Sequence, residues 1–240
     1  MNKEKNQERN KILNLLKNER LNRFLEKFGG YSAVLSVIII AIMLIVGTTL
    51  YSITEPMNMF THWISNIGAG YNGSSQIFSV LLITTIIVEI PFIFDLIRRL
   101  FIKNNEKERL SLIIFSILII VIIGILGISF FNLKAFPILH VISAISFFIG
   151  SMLMMLSFSI AIIQNPKFPI YQALVGFVAS FIFLVFLSTF MPYLIEGRNL
   201  VNIIISMSSE YNINRFWEWL SVFGLMFWTF ETGIYFLKHK

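Results

Sequence analysis

The chain contains no cysteine, which excludes disulfides, thiolate zinc sites, iron–sulfur clusters and cysteine nucleophiles. Charge is scarce as well. Only 13% of the 240 residues are charged, whereas soluble globular proteins have about 25%. Hydrophobic residues make up 56% of the chain, and 25 residues are phenylalanine. Because so few polar side chains could cover a water-facing surface, the composition predicts a polytopic integral membrane protein.

Six apolar stretches are long enough to cross about 30 Å of hydrocarbon, which takes about 20 helical residues. They are apolar on all sides rather than alternating, which favours helices over a β-barrel. The predicted fold class is therefore all-α, a bundle of six transmembrane helices. The predicted spans are 31–51, 77–97, 110–130, 137–163, 170–191 and 216–237.

The basic residues set a predicted orientation. Sixteen of the 19 lysines and arginines flank the spans on one side, and three lie on the other side: Lys134, Arg198 and Arg215. By the positive-inside rule, both termini are cytoplasmic and the protein lies in the cell membrane. The predicted parts are a basic cytoplasmic segment (1–30), the six-helix domain (31–237) and a cytoplasmic tail (238–240). The net charge is +6. Because the basic residues lie beside the spans, anionic lipids are the expected partner rather than nucleic acid.

The basic N-terminal segment contains an apolar stripe with helical spacing. Such a stripe predicts an amphipathic helix on the inner leaflet. The alternative is a partly ordered tail that only enforces topology. The pair Gly29–Gly30 is expected to break the helix before the first span. The stripe consists of Leu21, Phe24, Leu25 and Phe28, extended imperfectly by Ile12 and Leu16.

Polar chemistry is concentrated on the outer side, where residues 61–75 (THWISNIGAGYNGSS) contain no lysine or arginine. Counting depth at 1.5 Å per residue places two further groups in the same layer, one turn into the fourth span and at the start of the sixth. The candidate ligand-binding residues are His62, Ser65, Asn66, His140 and Glu218.

Three uses of that layer stay open: metal binding, acid–base catalysis, and the binding of an anionic headgroup. The alternative is an interfacial belt of aromatic and polar side chains without a ligand. No H-x-x-x-H or H-E-x-x-H spacing occurs, so neither a metal nor a cofactor is predicted. Asn72-Gly73-Ser74 matches an N-glycosylation sequon, and the glycines around it predict a tight turn before the second span. A short interfacial or re-entrant helix is expected within 192–214.

Two carboxylates, Glu89 and Glu231, lie inside predicted spans, where ionisable groups are costly and often functional. They are either protonated and hydrogen-bonded to neighbouring hydroxyls or part of a proton relay. Asp95 precedes Arg98 and Arg99 by three and four residues, which predicts an interfacial ion pair. Small residues in the third and fourth spans predict close helix packing: Gly124, Gly127, Ser146 and Gly150.

Three features together resemble the prokaryotic family called domain of unknown function 998. They are His62-Trp63-Ile64-Ser65-Asn66-Ile67-Gly68 after the first span, His140 opening the fourth, and Glu218-Trp219 opening the sixth. The chain is more distantly similar to the DRAM/Frag group of autophagy modulators and GPI-anchor-remodelling factors. The resemblance covers residues 31–237 and implies six helices with polar residues at the outer face, but no settled activity. Asn66 stands where many relatives have aspartate, which weakens an acid or metal role there.

Three functional hypotheses follow. The first is a non-enzymatic membrane protein that binds or senses lipid through its outer polar layer, with protein partners undetermined and a homo-oligomer compatible with the sequence. The second is a membrane enzyme acting on a lipid or lipid-linked substrate with His62, Ser65, His140 and Glu218. The third is a small proton-coupled transporter using Glu89 and Glu231, which the absence of an evident inverted repeat disfavours.

Overall fold

The computed structural model describes residues 19–102, 108–190 and 212–239. These residues form α-helices and connections, and no strand occurs in them. A π-helical segment, Arg98–Ile102, continues the third helix. The helices are α1 (Glu19–Ser52), α2 (Ser65–Gly68), α3 (Ser74–Ile97), α4 (Glu108–Phe130), α5 (Pro137–Ile163), α6 (Ile170–Ser188) and α7 (Ile213–Lys238).

Six of these helices, all except the short α2, are long and apolar enough to cross a membrane. The predicted all-α, multi-pass fold is thereby confirmed. Each long helix packs against the next one along the chain, and α7 packs back against α1, so that the six helices close into a ring. Trp228 of α7 is fully buried and its ring lies 6.0 Å from that of Phe92 and 5.9 Å from that of Phe158. This side chain joins α3, α5 and α7 in the core.

Two ends of the bundle can be distinguished by their residues. The histidine end contains residues 53–73, which we call the cap segment, together with the first turns of α5 and α7. The arginine end contains the π-helical segment, the α5–α6 connection and the last turn of α7. The interfacial helix expected within 192–214 lies outside the described residues except for 212–214. Arg198, Ile12 and Leu16 also lie outside the described residues.

The predicted helix break at Gly29–Gly30 is wrong, because α1 runs without interruption from Glu19 to Ser52. The two glycines serve packing instead. A Cβ on Gly29 would lie 2.8 Å from the Asp95 side chain, and one on Gly30 would lie 2.9 Å from the Gly233 carbonyl oxygen. Backbone hydrogen bonding continues through both glycines, so the missing side chains let α3 and α7 approach α1 closely.

Asp95 organises the arginine end. Its fully buried carboxylate accepts from Arg98 Nη2 at 2.7 Å and from Arg99 Nε at 2.9 Å, which confirms the predicted ion pair. Arg98 also pairs with Glu26 at 2.8 Å, and Arg99 donates to the carbonyl of His239 at 3.1 Å. The cluster therefore ties α1 and the end of α7 to α3.

The predicted close packing of small residues is also confirmed. A Cβ on Gly124 of α4 would lie 2.7 Å from the backbone nitrogen of Phe147 and 2.9 Å from the carbonyl oxygen of Ser143, both in α5. A Cβ on Gly150 would lie 2.7 Å from Val121. The α4–α5 contact is thus backbone against backbone, a geometry that small residues permit.

Candidate functional site

The cap segment folds inward over the histidine end instead of projecting from it. Trp63, Ile64 and Ile67 are all buried. The turn that returns the chain to α3 uses positive φ angles at Asn72 and Gly73, 57° and 86°, as the glycine-rich sequence predicts. The Asn72 side chain donates to Thr54 Oγ1 at 2.8 Å, so it fastens the two ends of the cap together.

Three side chains from one face of α7 hold the backbone of the cap. They occupy positions i, i+3 and i+4, which lie side by side on a helix. Each one forms a hydrogen bond with a backbone group of the cap. These contacts therefore do not depend on the side chains of the cap residues. Glu218 Oε2 accepts from Ile64 N at 2.8 Å, Trp219 Nε1 donates to His62 O at 3.0 Å, and Arg215 Nη1 donates to Thr61 O.

The side chain of His62 is engaged within the cap. Its Nε2 lies 3.2 Å from Glu55 Oε1, and its Nδ1 lies 2.8 Å from Thr61 Oγ1. The ring packs edge-on against Tyr51, with 5.4 Å between the ring centroids. Both ring nitrogens therefore have partners within the cap, and His62 contributes to the internal hydrogen bonding of this segment.

Asn66 also has a local role. Its Oδ1 accepts from the backbone nitrogen of Trp63 at 2.7 Å, which closes the turn that begins α2. This bond needs only an acceptor oxygen, which asparagine and aspartate both provide.

His140 lies on the first turn of α5, at the same end of the bundle as the cap segment, and is buried. Its Nδ1 lies 2.6 Å from the carbonyl oxygen of Phe131. A carbonyl only accepts, so Nδ1 carries the proton in this contact. The second nitrogen, Nε2, has no hydrogen-bond partner among the residues that the structure describes.

His140, Glu218 and Ser65 line one partly open cavity of about 90 Å³, which lies between α1, α2, α3, α4, α5 and α7 and which we call the internal cavity. It extends toward the middle of the bundle, where Thr85 and Glu89 add two further polar groups. The other twelve lining residues are apolar. Of the predicted site residues, the structure therefore brings three together with Glu89, while His62 and Asn66 do not line the cavity.

A second space opens at Glu89. This cleft lies between α3 and α4 and has a volume of about 170 Å³, with Glu89 and eleven apolar residues in its wall. It shares Glu89 and Ile125 with the internal cavity. Ile90 and Ile119, which also line the cleft, are exposed on the outside of the bundle. The α3/α4 cleft thus lies next to the cavity, with Glu89 in the wall of both, and it faces the outside of the bundle.

The other predicted groups lie elsewhere. Glu231 is at the arginine end, where its Oε1 accepts from Gln172 Nε2 at 3.5 Å. Within the described residues, no three histidine, aspartate or glutamate side chains are placed to hold a metal ion.

The family model described as Frag1/DRAM/Sfk1/Cwh43P N-terminal domain matches residues 30–233, which is more than half of the chain. The chain belongs to this family. The matched region begins in α1 and ends in α7, so it contains the cap segment, the internal cavity and the α3/α4 cleft. A search of curated proteins found no match, and neither did a search of solved structures.

Sequence reasoning missed several features that this Frag1/DRAM member uses. The roles of Glu55 and Thr61 as partners of His62 carried no recognisable motif. The three α7 side chains that hold the cap, which we call the backbone clamp, could be recognised in the sequence because Arg215, Glu218 and Trp219 share one helix face. Their spacing did not reveal that they bind the cap, since a backbone carbonyl or amide is available at almost any residue.

Proposed function

We propose that this protein binds a membrane lipid without transforming it, holding the polar end of the lipid in the internal cavity. The observation that carries the proposal is the composition of that cavity. Ser65, His140 and Glu218 supply polar groups at the histidine end, and apolar side chains form nearly all of the remaining wall. Binding sites for amphipathic small molecules combine these two features.

The free polar atoms indicate what the ligand offers. Nε2 of His140 is an acceptor when Nδ1 carries the proton. Glu218 uses Oε2 to hold the cap, and Oε1 has no hydrogen-bond partner among the described residues. An imidazole nitrogen and a carboxyl oxygen at one end of an apolar space favour a ligand whose polar end forms hydrogen bonds with both groups, such as a hydroxyl or an amine.

The size of the cavity sets how much of the lipid it holds. A cavity of about 150 Å³ accommodates benzene, so the 90 Å³ here fits a polar group and a few carbons. The remainder of a chain would pass Glu89 and leave through the α3/α4 cleft, which is lined by apolar residues. This route supports lateral entry from the bilayer.

The orientation is part of the proposal. With 16 lysines and arginines on one side and three on the other, both termini would be cytoplasmic in the cell membrane, and the histidine end would face outward. The cavity would then open at the level of the outer leaflet. The motif His62–Gly68 with His140 and Glu218-Trp219 supports a relation to the prokaryotic domain of unknown function 998 proteins.

One observation favours binding over catalysis in the cavity. Ser65 makes no hydrogen bond to His140, whereas an activated serine nucleophile requires a base within hydrogen-bond reach. The wall between the polar end and Glu89 is largely apolar, which does not support a proton path through the bundle.

A cavity-filling variant tests the proposal. Ala144 lines the cavity and Ala135 is an exposed residue at the same end, so Ala144→Phe fills the space and Ala135→Phe is its matched control. We expect lipid extraction and native mass spectrometry to find the same lipid on the wild type and on the control, and to find it lost from Ala144→Phe. Retention of that lipid at unchanged occupancy by a folded Ala144→Phe variant would contradict the proposal.

A further inference from the structure

A second polar feature lies far from the cavity, on the lateral surface of α6 and α7 at the arginine end. It is a groove of about 240 Å³ that shares no lining residue with the internal cavity or the α3/α4 cleft. Glu231 forms its polar base, and Tyr171, Phe227 and Phe230 form much of its wall. The arrangement is an aromatic-walled groove with a carboxylate, opening toward the bilayer.

The Glu231 carboxylate at the base of this α6/α7 groove contacts Gln172, which is completely buried behind the groove and does not line it. Gln172 Nε2 donates to Glu231 Oε1 at 3.5 Å. Glu231 Oε2 accepts no hydrogen bond of good geometry from a described residue. The Tyr171 hydroxyl is a neighbouring polar group of the same carboxylate. Buried polar atoms are nearly always satisfied, because leaving one unpaired costs free energy. A carboxylate oxygen with unused acceptor capacity at the base of the groove predicts a donor there, and its charge favours a cationic one.

The aromatic walls fit the same ligand. Faces of tyrosine and phenylalanine rings attract cations, and aromatic cages are a recurring way to bind ammonium groups. Phe227 and Phe230 are 60% and 42% exposed, although their rings have no packing role in the core. Their exposure leaves the ring surfaces available to a lipid headgroup.

Positive charge lies at the mouth of the groove. Lys238 follows Glu231 by seven residues, which is two helical turns and about 10 Å along α7, on the same face. Side chains on a helix lean toward its N-terminus, so Lys238 leans back toward the groove that it lines. A cation site with a basic residue above it matches a zwitterion whose ammonium and phosphate are joined by a short linker.

We propose that the α6/α7 groove binds the headgroup of a phospholipid that carries a primary ammonium, as phosphatidylethanolamine does. The ammonium donates to Glu231 between the aromatic rings, and the phosphate lies beside Lys238. A primary ammonium fits better than a quaternary one because only N–H groups donate a hydrogen bond to the carboxylate. The acyl chains lie along the apolar surface of α6 and α7, in the leaflet at the arginine end.

Competition between lipids tests this assignment. The purified protein is exchanged into nanodiscs containing phosphatidylethanolamine and phosphatidylcholine in equal amounts, and bound lipid is counted by native mass spectrometry. A hydrogen bond that involves a charged group corresponds to about tenfold or more in affinity. We therefore expect about a tenfold preference for phosphatidylethanolamine in the wild type. Equal binding of the two lipids by the wild type would overturn the proposal.

Two variants locate the preference. Glu231→Gln removes the charge and is expected to abolish the preference, whereas Glu55→Gln, the same change in a half-exposed carboxylate at the histidine end, is expected to keep it. Phe227→Ala removes an exposed ring without touching the core and should weaken the preference several-fold. If folded Glu231→Gln and Phe227→Ala proteins both select phosphatidylethanolamine as the wild type does, the proposal is wrong. Ala144→Phe should leave this preference unchanged, so the two lipid proposals can fail separately.

Discussion

Substitutions of Glu218 distinguish the contribution of its hydrogen bond to stability from the contribution of its charge. Glu218 and Ile64 are 7% and 6% exposed, and 2.8 Å separates the carboxylate oxygen from the backbone nitrogen. Glu218→Ala leaves the buried N–H of Ile64 without a partner, which costs about 1–3 kcal/mol. In a chain of this size, 1 kcal/mol corresponds to roughly 2–4 °C in Tm. We therefore expect Glu218→Ala to lower the apparent Tm in detergent by roughly 2–12 °C.

Glu218→Gln retains an acceptor oxygen for Ile64 N, so its apparent Tm should stay close to that of the wild type. Glu55→Gln is the control at the half-exposed partner of His62, where a loss of about 0–1 kcal/mol is expected. Hydrogen exchange provides the local measurement: the Ile64 amide should exchange faster in Glu218→Ala only. Equal destabilisation by Glu218→Ala and Glu218→Gln would refute the backbone-clamp reasoning, because it would show that the charge and not the accepted bond matters.

Three further predictions concern packing and topology. Asp95→Ala removes the buried partner of two arginines and should lower the free energy of unfolding by about 3–5 kcal/mol in a denaturant titration; a loss below 1 kcal/mol would contradict the cluster's role. Gly124→Ala should destabilise the bundle because its Cβ meets α5 backbone, whereas Gly224→Ala, with its nearest atom at 3.6 Å, should be neutral or slightly stabilising; equal Tm values would count against close α4–α5 packing. Since the chain has no native cysteine, Tyr71→Cys should react with an impermeant maleimide in intact cells, and Lys238→Cys only after permeabilisation; the reverse pattern would invert the proposed orientation.

The six helices were predictable because the signal for a span is local. Length and all-round apolarity follow from consecutive residues, and α5, for example, occupies the predicted range Pro137–Ile163. The Asp95 ion pair was predictable for the same reason, since its partners are three and four residues away. Interactions within one helix can be read from spacing without knowing which helices are neighbours.

Gly29–Gly30 shows where local reasoning stops. Two adjacent glycines lower helix propensity, and that property predicted a break. In the folded bundle, their lack of side chains brings α1 against Asp95 of α3 and Gly233 of α7. Tertiary packing therefore decides the conformation, and the helix continues through both residues.

The candidate site was predicted in part. Depth counting placed His140 and Glu218 in one layer, and both line the internal cavity. The same count could not show that His62 turns toward Glu55, because depth contains no information on rotation about the helix or loop axis. No local sequence pattern predicts the cavity, because it forms where the side chains of several helices leave space unfilled between them.

The most direct test of lipid binding in the internal cavity is a high-resolution electron cryomicroscopy map of the protein in lipid nanodiscs. We predict elongated density that begins beside His140 and Glu218, passes Glu89 and continues into the α3/α4 cleft. A well-resolved map in which the cavity is collapsed, or contains only isolated water-sized features, would contradict the proposal.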